Sequence, residues 1–513
     1  LKLSFVADDK TKVDGVVVEK QIGKTNATAK AGFSTPTAST IDIKHEKKLN
    51  SSNKPKLKKK LFDEKKKSGW FKWWFVPIVI LVGLLVAVGV YASKLLGTLD
   101  DMGVTVDIGS VGTIITDALG GEQYILKQDN GRTNFLLVGI DTRPNSGLMN
   151  TDTIMLISLE HETGQLSMVS IPRDTEAKYT IGEKDYTTKV NSAYARAMLK
   201  NGDVEGMNML RSIVTEMTGQ PVHYVALVNY YAFVDAVDQV GGLDVCVERE
   251  FSADYPKPGA TVGSSVAGEE ITVHFDEGCQ FMDGERALIY ARARKSNSVE
   301  GSDYARAARQ QIVMKAFYDK FRGSSWFSQY DSALAFLDIL GENVKMYDIA
   351  PEDLKAAWEV RDIVDIAGAT NVVLSPAIDY YRLIKAGDDY RNSPTAGVGN
   401  WSEVNGYVTF LLENPGVFAE APEIGVYDGG VGNSTANGVV SDLNNGYLLA
   451  RDKGSVNMTG CTANQVGLVP GTDPMPASIQ YLQTLYSAQL LTELPVTGKS
   501  VDIVLILCVK PTE

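Results

Sequence analysis

Twenty consecutive residues without a charge, 73–92 (WWFVPIVILVGLLVAVGVYA), constrain this chain more than any other feature. At about 1.5 Å of rise per residue, a helix of that length crosses a hydrocarbon core of roughly 30 Å. A buried helix of a soluble domain would carry a polar stripe, and this run has none. Pro77 near its start is tolerable where interfacial water or neighbouring groups satisfy the released carbonyl. Trp70, Trp73 and Trp74 stand where an interfacial aromatic belt would be. The expectation is one transmembrane helix at 73–92.

The flanks orient it. Lys58, Lys59, Lys60, Lys65, Lys66, Lys67 and Lys72 crowd the N-terminal side, whereas Lys94 is followed by Asp100, Asp101 and Asp107. The positive-inside bias then predicts a single-pass protein of the plasma membrane, with a cytoplasmic N-terminus and everything from about 94 onward outside. Residues 1–72 hold 18 lysines against 8 acids, so the total charge of −13 leaves −23 on the remainder. An acidic body excludes nucleic acid as the ligand, because neutralising a phosphate backbone needs a basic face. Residues 1–69, poor in large apolar groups, read as a disordered tail. Residues 94–131 read as a stalk.

Only Cys246, Cys279, Cys461 and Cys508 occur, all on the expected exported side, where disulfides persist. Of the three pairings possible, Cys246 with Cys279 and Cys461 with Cys508 fall within domains. No spacing suggests zinc.

From residue 133 the pattern is that of an α/β body, a sheet covered by helices. NFLLVGI (134–140), TIMLISL (153–159) and LSMVSI (166–171) read as strands whose connections are too short for helical crossovers, so they form an antiparallel meander. Helical stretches follow at 191–200 and 204–217, with Asp203 as the N-cap of the second. A strand at 223–228, a helix at 230–240 and a strand at 243–248 come next. The Pro-, Gly- and Ser-rich segment 252–270 reads as a surface loop. Helical signal returns at 284–291, 303–321, 331–340 and 351–360, with a loop at 397–406. A second small α/β unit is expected over 422–510, with a helix at 477–491 and a closing strand at 501–509.

The meander brings charges to one edge. Asp141 and Arg143 follow strand one, Asp152 precedes strand two, and Arg173 and Asp174 follow strand three. Carboxylates hold a hard cation such as magnesium, whose shell keeps water and phosphate oxygens. Guanidinium forks take further phosphate oxygens in bidentate bonds. A second basic group, Arg292, Arg294 and Lys295, precedes DYARAARQQ (303–311), where Arg306 and Arg309 share a helix face and Asp303 lies one turn before Arg306. Lys189, Asn191 and Tyr194 form a weaker polar group before a helix. A polyphosphate ligand accounts for this concentration of arginines in an acidic body. No GxSxG, P-loop or dinucleotide fingerprint is present.

The segments NFLLVGIDTR, NTDTIMLISL, SMVSIPRDT, KVNSAYA, VNYYAFVDAVDQVGGLDV, LIYARARK and DYARAARQQ resemble, in this order, the catalytic domain of the LytR-CpsA-Psr (LCP) family of bacterial cell-wall glycopolymer transferases. The resemblance covers 132–322, and 422–510 resembles the LytR C-terminal domain, with 323–421 left as a helical extension and linker. It implies a Mg²⁺-dependent phosphotransferase that moves a glycopolymer from a polyprenyl-pyrophosphate carrier onto peptidoglycan or a related wall acceptor, releasing polyprenyl phosphate. Asp141 and Asp152 match the family's magnesium-binding acids. Arg143, Arg173, Arg292, Arg294, Arg306, Arg309 and Gln310 match its pyrophosphate-binding set. Arg173, Asp174, Asp303 and Arg309 are the residues expected to carry catalysis, with Asp174 or Asp303 assisting deprotonation. The chain departs from the family at Asn150, where an arginine is common, and at 198–203 (MLKNGD), which lacks a Gly-Gly. A pyrophosphatase acting on the same lipid-linked saccharide, or a non-catalytic wall-binding or regulatory protein on the same scaffold, are the alternatives.

Overall fold

The computed structural model describes residues 125–140, 149–259, 265–293, 299–376, 383–387, 391–496 and 500–511. The expected tail, the transmembrane helix at 73–92 and most of the stalk lie outside the described residues. Among the described residues no helix is long and apolar enough to cross a membrane.

The chain begins with the strands β1 (Arg132–Ile140), β2 (Thr151–Glu160) and β3 (Gln165–Ser170), a hairpin β4 (Glu176–Ile181) and β5 (Lys184–Lys189), and the helices α1 (Ala193–Asn201) and α2 (Asp203–Thr218). Then follow β6 (Tyr224–Val228), α3 (Tyr230–Gln239), β7 (Leu243–Val247), β8 (Phe251–Pro258), β9 (Ser265–Phe275), β10 (Gly278–Met282), α4 (Gly284–Arg292), α5 (Asp303–Arg322) and α6 (Tyr330–Leu340). The body closes with β11 (Val344–Tyr347), α7 (Pro351–Val360), β12 (Asp365–Val373), β13 (Ile384–Ala386), β14 (Asn392–Pro394), α8 (Ser402–Glu413) and α9 (Pro415–Glu420). The last stretch holds β15 (Glu423–Asp428), α10 (Asn433–Asn445), β16 (Leu449–Ser455), β17 (Gln465–Leu468), α11 (Pro476–Tyr486), β18 (Gln489–Leu490) and β19 (Ile503–Leu507).

The fold is mixed α/β. Its main sheet has the order β11-β6-β1-β2-β3-β12. β1, β2 and β3 form the expected antiparallel meander, with Leu136 opposite Leu156 and Leu156 opposite Val169. β6 lies parallel to β1, and β12 parallel to β3. Alternation assigns the two faces. Leu136, Val138 and Ile140 point with Ile154, Leu156 and Val169 into a core closed by α1, α2 and α8. Each such side chain, removed wholly from water, contributes about 1.5–3 kcal/mol. On the opposite face Met155 and Met168 meet Met314 of α5. There Gln311 donates to the carbonyls of Met168 and Val372 and to Ser170 Oγ, tying α5 across β3 and β12.

Several expectations are corrected. In segment 252–270 the described residues are largely strand, not loop: β8 and β9 pair antiparallel from Phe251 opposite Phe275 onward. Its prolines sit in a two-stranded ribbon, where a missing ladder donor is tolerated, and they masked an inward alternation of Phe251, Ala253 and Tyr255. Asp203 opens α2 rather than capping it; the cap is Gly202, at φ 90°. Helix α8 starts at Ser402, inside the expected loop, and α11 stops at Tyr486, where Ser487 turns left-handed at φ 48°. Residues 323–421 are not wholly helical linker, because β11 and β12 complete the main sheet. Hairpin β4–β5 went unread because its alternation is polar on one face and short.

A second sheet, β16-β15-β19-β17-β18, has its own core around Ile424, Val426, Leu482, Ile503 and Leu505. Phe410 of α8 and Tyr447 bridge it to the first body. Both disulfides join the expected partners, Cys246 with Cys279 and Cys461 with Cys508. The first staples residues directly opposite on β7 and β10.

Candidate functional site

The site forms where strand ends converge. β1 and β6 run parallel, so both deliver their C-terminal residues to one edge, to which antiparallel β2 contributes its start. Ile140 pairs with Thr151, and Gly139 with Val228. Beyond Val228, Asn229 caps α3 by accepting from Ala232 N at 3.0 Å. Asp283 caps α4 and Ser302 caps α5 in the same way. These caps fix where three helices start over the second face of the sheet.

Between that face and the helices lies a cavity of about 500 Å³. Its polar lining is Asp152, Arg173, Arg292, Arg306, Gln310 and Asn229. Its apolar lining includes Leu137, Phe233, Ala236, Leu288, Met314, Phe317, Phe336, Leu337, Leu340 and Val344. The same cavity therefore offers cations to anionic oxygen and apolar surface to hydrocarbon.

Arg173 is the hub of the charged cluster. Its Nη1 donates to Asp152 Oδ1 at 2.7 Å, and its Nε stands 3.8 Å from Asp174 Oδ1 and 4.0 Å from Asp303 Oδ1. Burial works to lower this guanidinium, but Asp152, Asp303 and Asp174 outweigh it and hold it above its ordinary value. Arg306, 4% exposed, pairs its Nη2 with Asp303 Oδ1 at 3.1 Å. Burial pushes Arg306 down, and the Asp303 charge opposes that. Burial pushes the Asp174 carboxyl up, and a hydrogen bond shared with Asp303 adds to it. Lys189 Nζ, 3.0 Å from Asp174 Oδ1, and Arg173 pull the other way. Asp174 and Asp303 thus form a carboxyl pair set among the three cations Arg173, Arg306 and Lys189.

Arg292 ends α4, where helix carbonyls favour a cation. Its guanidinium lies 4.0 Å from the Tyr230 ring centre, and its Nη1 donates to Tyr255 Oη at 2.6 Å. Gln310 reaches back to the Ala291 carbonyl at 3.4 Å. Arg309 takes a different place: 2% exposed, it is outside the cavity wall. It donates to the carbonyls of Tyr290, Ala293 and Glu300 and to the Glu300 carboxylate. That bonding ties the end of α4 to Glu300 and keeps Arg309 off the cavity wall. Asp141, Arg143 and Arg294 lie outside the described residues.

Among the described residues no group of three or more His, Cys, Asp or Glu side chains is placed to hold a metal ion. Asp152 lies in the cavity wall with one carboxylate oxygen on Arg173. Magnesium that keeps water and takes ligand phosphate oxygens needs one or two carboxylates. Asp152 fits that demand as one of them.

Sequence reasoning passed over Tyr255, inside an expected loop, and did not foresee Tyr230 as a partner of Arg292. It also passed over Asn392, whose backbone N–H donates to the Asp174 carbonyl at 3.1 Å while its Oδ1 accepts from Tyr304 at 3.0 Å. Asn392 so links the neighbours of Asp174 and Asp303. No local signal marks it, since the link closes between β14, the end of β3 and the start of α5.

A family model described as the LytR_cpsA_psr family matches residues 109–366. The chain is 28% identical over 318 residues to polyisoprenyl-teichoic acid–peptidoglycan teichoic acid transferase TagU of Oceanobacillus iheyensis, covering 61% of this chain and 87% of that one. It is 31% identical over 235 residues to the corresponding transferase TagT of Bacillus subtilis, covering 44% of this chain and 65% of that one. Among solved structures it is similar to TagV of Bacillus subtilis at 22% identity and a TM-score of 0.41, over 56% of this chain and 99% of the other.

Proposed function

This chain belongs to the LytR_cpsA_psr family, and from that premise we infer that it is a phosphotransferase moving a glycopolymer from a polyprenyl-pyrophosphate carrier to peptidoglycan or a related wall acceptor. Curated relatives such as TagU and TagT, named as polyisoprenyl-teichoic acid–peptidoglycan teichoic acid transferases, support the cell-wall glycopolymer class. The observation that carries the finer reading is one cavity whose lining combines three arginines with a broad apolar surface. Such a space matches an amphiphile with an anionic head and a hydrocarbon tail. The lysine-rich flank of 73–92 supports an anchor that keeps the catalytic body outside, beside the membrane supplying that lipid.

In this reading Arg173, Arg292 and Arg306 take the diphosphate oxygens in charge-assisted bonds, and Gln310 adds a neutral donor. The apolar wall orders the first prenyl units. An acceptor sugar hydroxyl attacks the sugar-proximal phosphorus, so an acceptor O–P bond forms and the P–O bond to the distal phosphate breaks. Polyprenyl phosphate leaves. The hydroxyl proton passes to the Asp174 carboxylate, which Asp303 and Lys189 hold in place. Arg309 acts at a distance, by tying the end of α4 to Glu300. Asp152, together with Asp141, would hold magnesium, which when bound supplies further positive charge to the phosphate oxygens.

The test uses the full chain in detergent with magnesium, a labelled polyprenyl-pyrophosphate saccharide and peptidoglycan. Release of polyprenyl phosphate with label on the wall polymer is expected. Label appearing only as soluble saccharide phosphate would make the protein a pyrophosphatase. Binding of the lipid without release would make it a non-catalytic wall protein.

A further inference from the structure

The hairpin β8–β9 stands outside both large sheets, yet its base is built as rigidly as a core. Phe251 and Phe275, directly opposite one another, stack with ring centres 5.1 Å apart, and Phe275 meets Tyr290 of α4 edge-on at 5.2 Å. Phe251, Ala253 and Phe275 are all buried. Arg286 of α4 adds a hydrogen bond to the His274 carbonyl and lies 4.7 Å from the Phe275 ring centre. The hairpin and α4 are thereby one unit.

Strand period then decides what the hairpin delivers. Residues 251, 253 and 255 share a face, so the anchored Phe251 and Ala253 direct Tyr255 toward the end of the same helix. There Tyr255 Oη accepts from Arg292 Nη1 at 2.6 Å, and its ring centre is 5.6 Å from the guanidinium carbon. The Tyr230 ring of α3 flanks the guanidinium more closely, at 4.0 Å. An arginine side chain has large rotamer freedom, and a guanidinium that must meet phosphate loses binding whenever it wanders. Two aromatic partners on separate elements remove that freedom before the ligand arrives.

We propose that Tyr255 is a positioning residue, which through its hydroxyl and ring aims Arg292 at the phosphates of the ligand in the cavity. This rests on the assignment of Arg292 to the pyrophosphate made above. The hairpin, which is not part of the main sheet, then has a binding role: it sets how tightly the head group is held.

The experiment measures binding of farnesyl pyrophosphate, a short prenyl diphosphate, to the full chain in detergent by calorimetry. The wild type is compared with Tyr255→Phe, Arg292→Ala and the double variant. Tyr255→Phe keeps the ring and loses only the acceptor, so melting temperature is unchanged while the dissociation constant rises about tenfold, the scale of one charge-assisted hydrogen bond. In the Arg292→Ala background the same substitution has no further effect, a coupling that a purely structural role for Tyr255 would not produce. Wild-type affinity in Tyr255→Phe, or an equal loss with and without Arg292, overturns the proposal while leaving the ligand class standing. If the wild type itself fails to bind the diphosphate, the ligand class falls and the role of Tyr255 with it.

Discussion

Replacing Arg173 by lysine keeps the charge and removes the fork. The guanidinium reaches Asp152 through Nη1 at 2.7 Å and faces Asp174 and Asp303 through Nε at 3.8 and 4.0 Å. A single ammonium can satisfy the first contact or stand between the other two, not both, so the geometry that aligns the three carboxylates is lost. Removing one preorganised donor aimed at developing phosphate charge costs about 2.7–4 kcal/mol in the transition state, or roughly 10²–10³ in kcat. The side chain is 19% exposed, so solvent screens part of the ion-pair energy; with the charge retained, the loss of folding stability is about 1 kcal/mol, a shift of a few degrees in Tm. The assay follows polyprenyl phosphate release from a lipid-linked saccharide alongside a thermal melt. Activity within a few-fold of wild type would refute the role given to the fork. A collapse of Tm in step with activity would refute the separation of function from folding.

Ala236→Trp fills the apolar interior and should raise KM for long-chain donors at least tenfold while sparing a two-isoprene donor; equal effects on both would show that the tail lies elsewhere. Asp174 is raised first by burial and then by its bond to Asp303. Activity that needs the carboxylate is therefore lost, as pH falls, at a higher pH than for an ordinary aspartate, and Asp303→Asn should move that acid limb to lower pH in a pH–rate profile. His223 Nδ1 accepts the Asn134 N–H at 2.9 Å, and burial holds the imidazole below its usual value. The folded state thus binds fewer protons than the unfolded state below pH about 6.5. Stability is full above that pH and falls as pH drops through the folded value, and His223→Asn should flatten this loss in melts taken between pH 7.5 and 5.

The long apolar strands were legible because burial on both faces leaves a continuous hydrophobic run, as in LLVGI and TIMLISL. The helices α3, α4, α5 and α7 were legible from apolar spacing. Hairpin β8–β9 was not, since its prolines and glycines outweigh a two-residue alternation in any local reading. β11 and β12 were hidden for another reason: each is short or polar in part and becomes a strand by joining an edge of a sheet formed far earlier in the chain. At the site, Asp152, Arg173, Arg292, Arg306 and Gln310 came from motifs and line one cavity. Arg309 belongs to the same helical motif, yet a turn of helix sends it to backbone carbonyls instead.

Composition and pattern alone determined the charge division of the chain, its uncharged run, the meander and the acids and arginines at strand ends, because each depends on residues close in sequence. Tertiary structure decided which charges meet, that Asp174 and Asp303 form a pair, that Tyr255 reaches Arg292, and that Asn392 reaches Asp174. Those contacts join residues up to 218 positions apart, as from Asp174 to Asn392. Local preference carries no information across such a distance; packing of the sheet and its helices does.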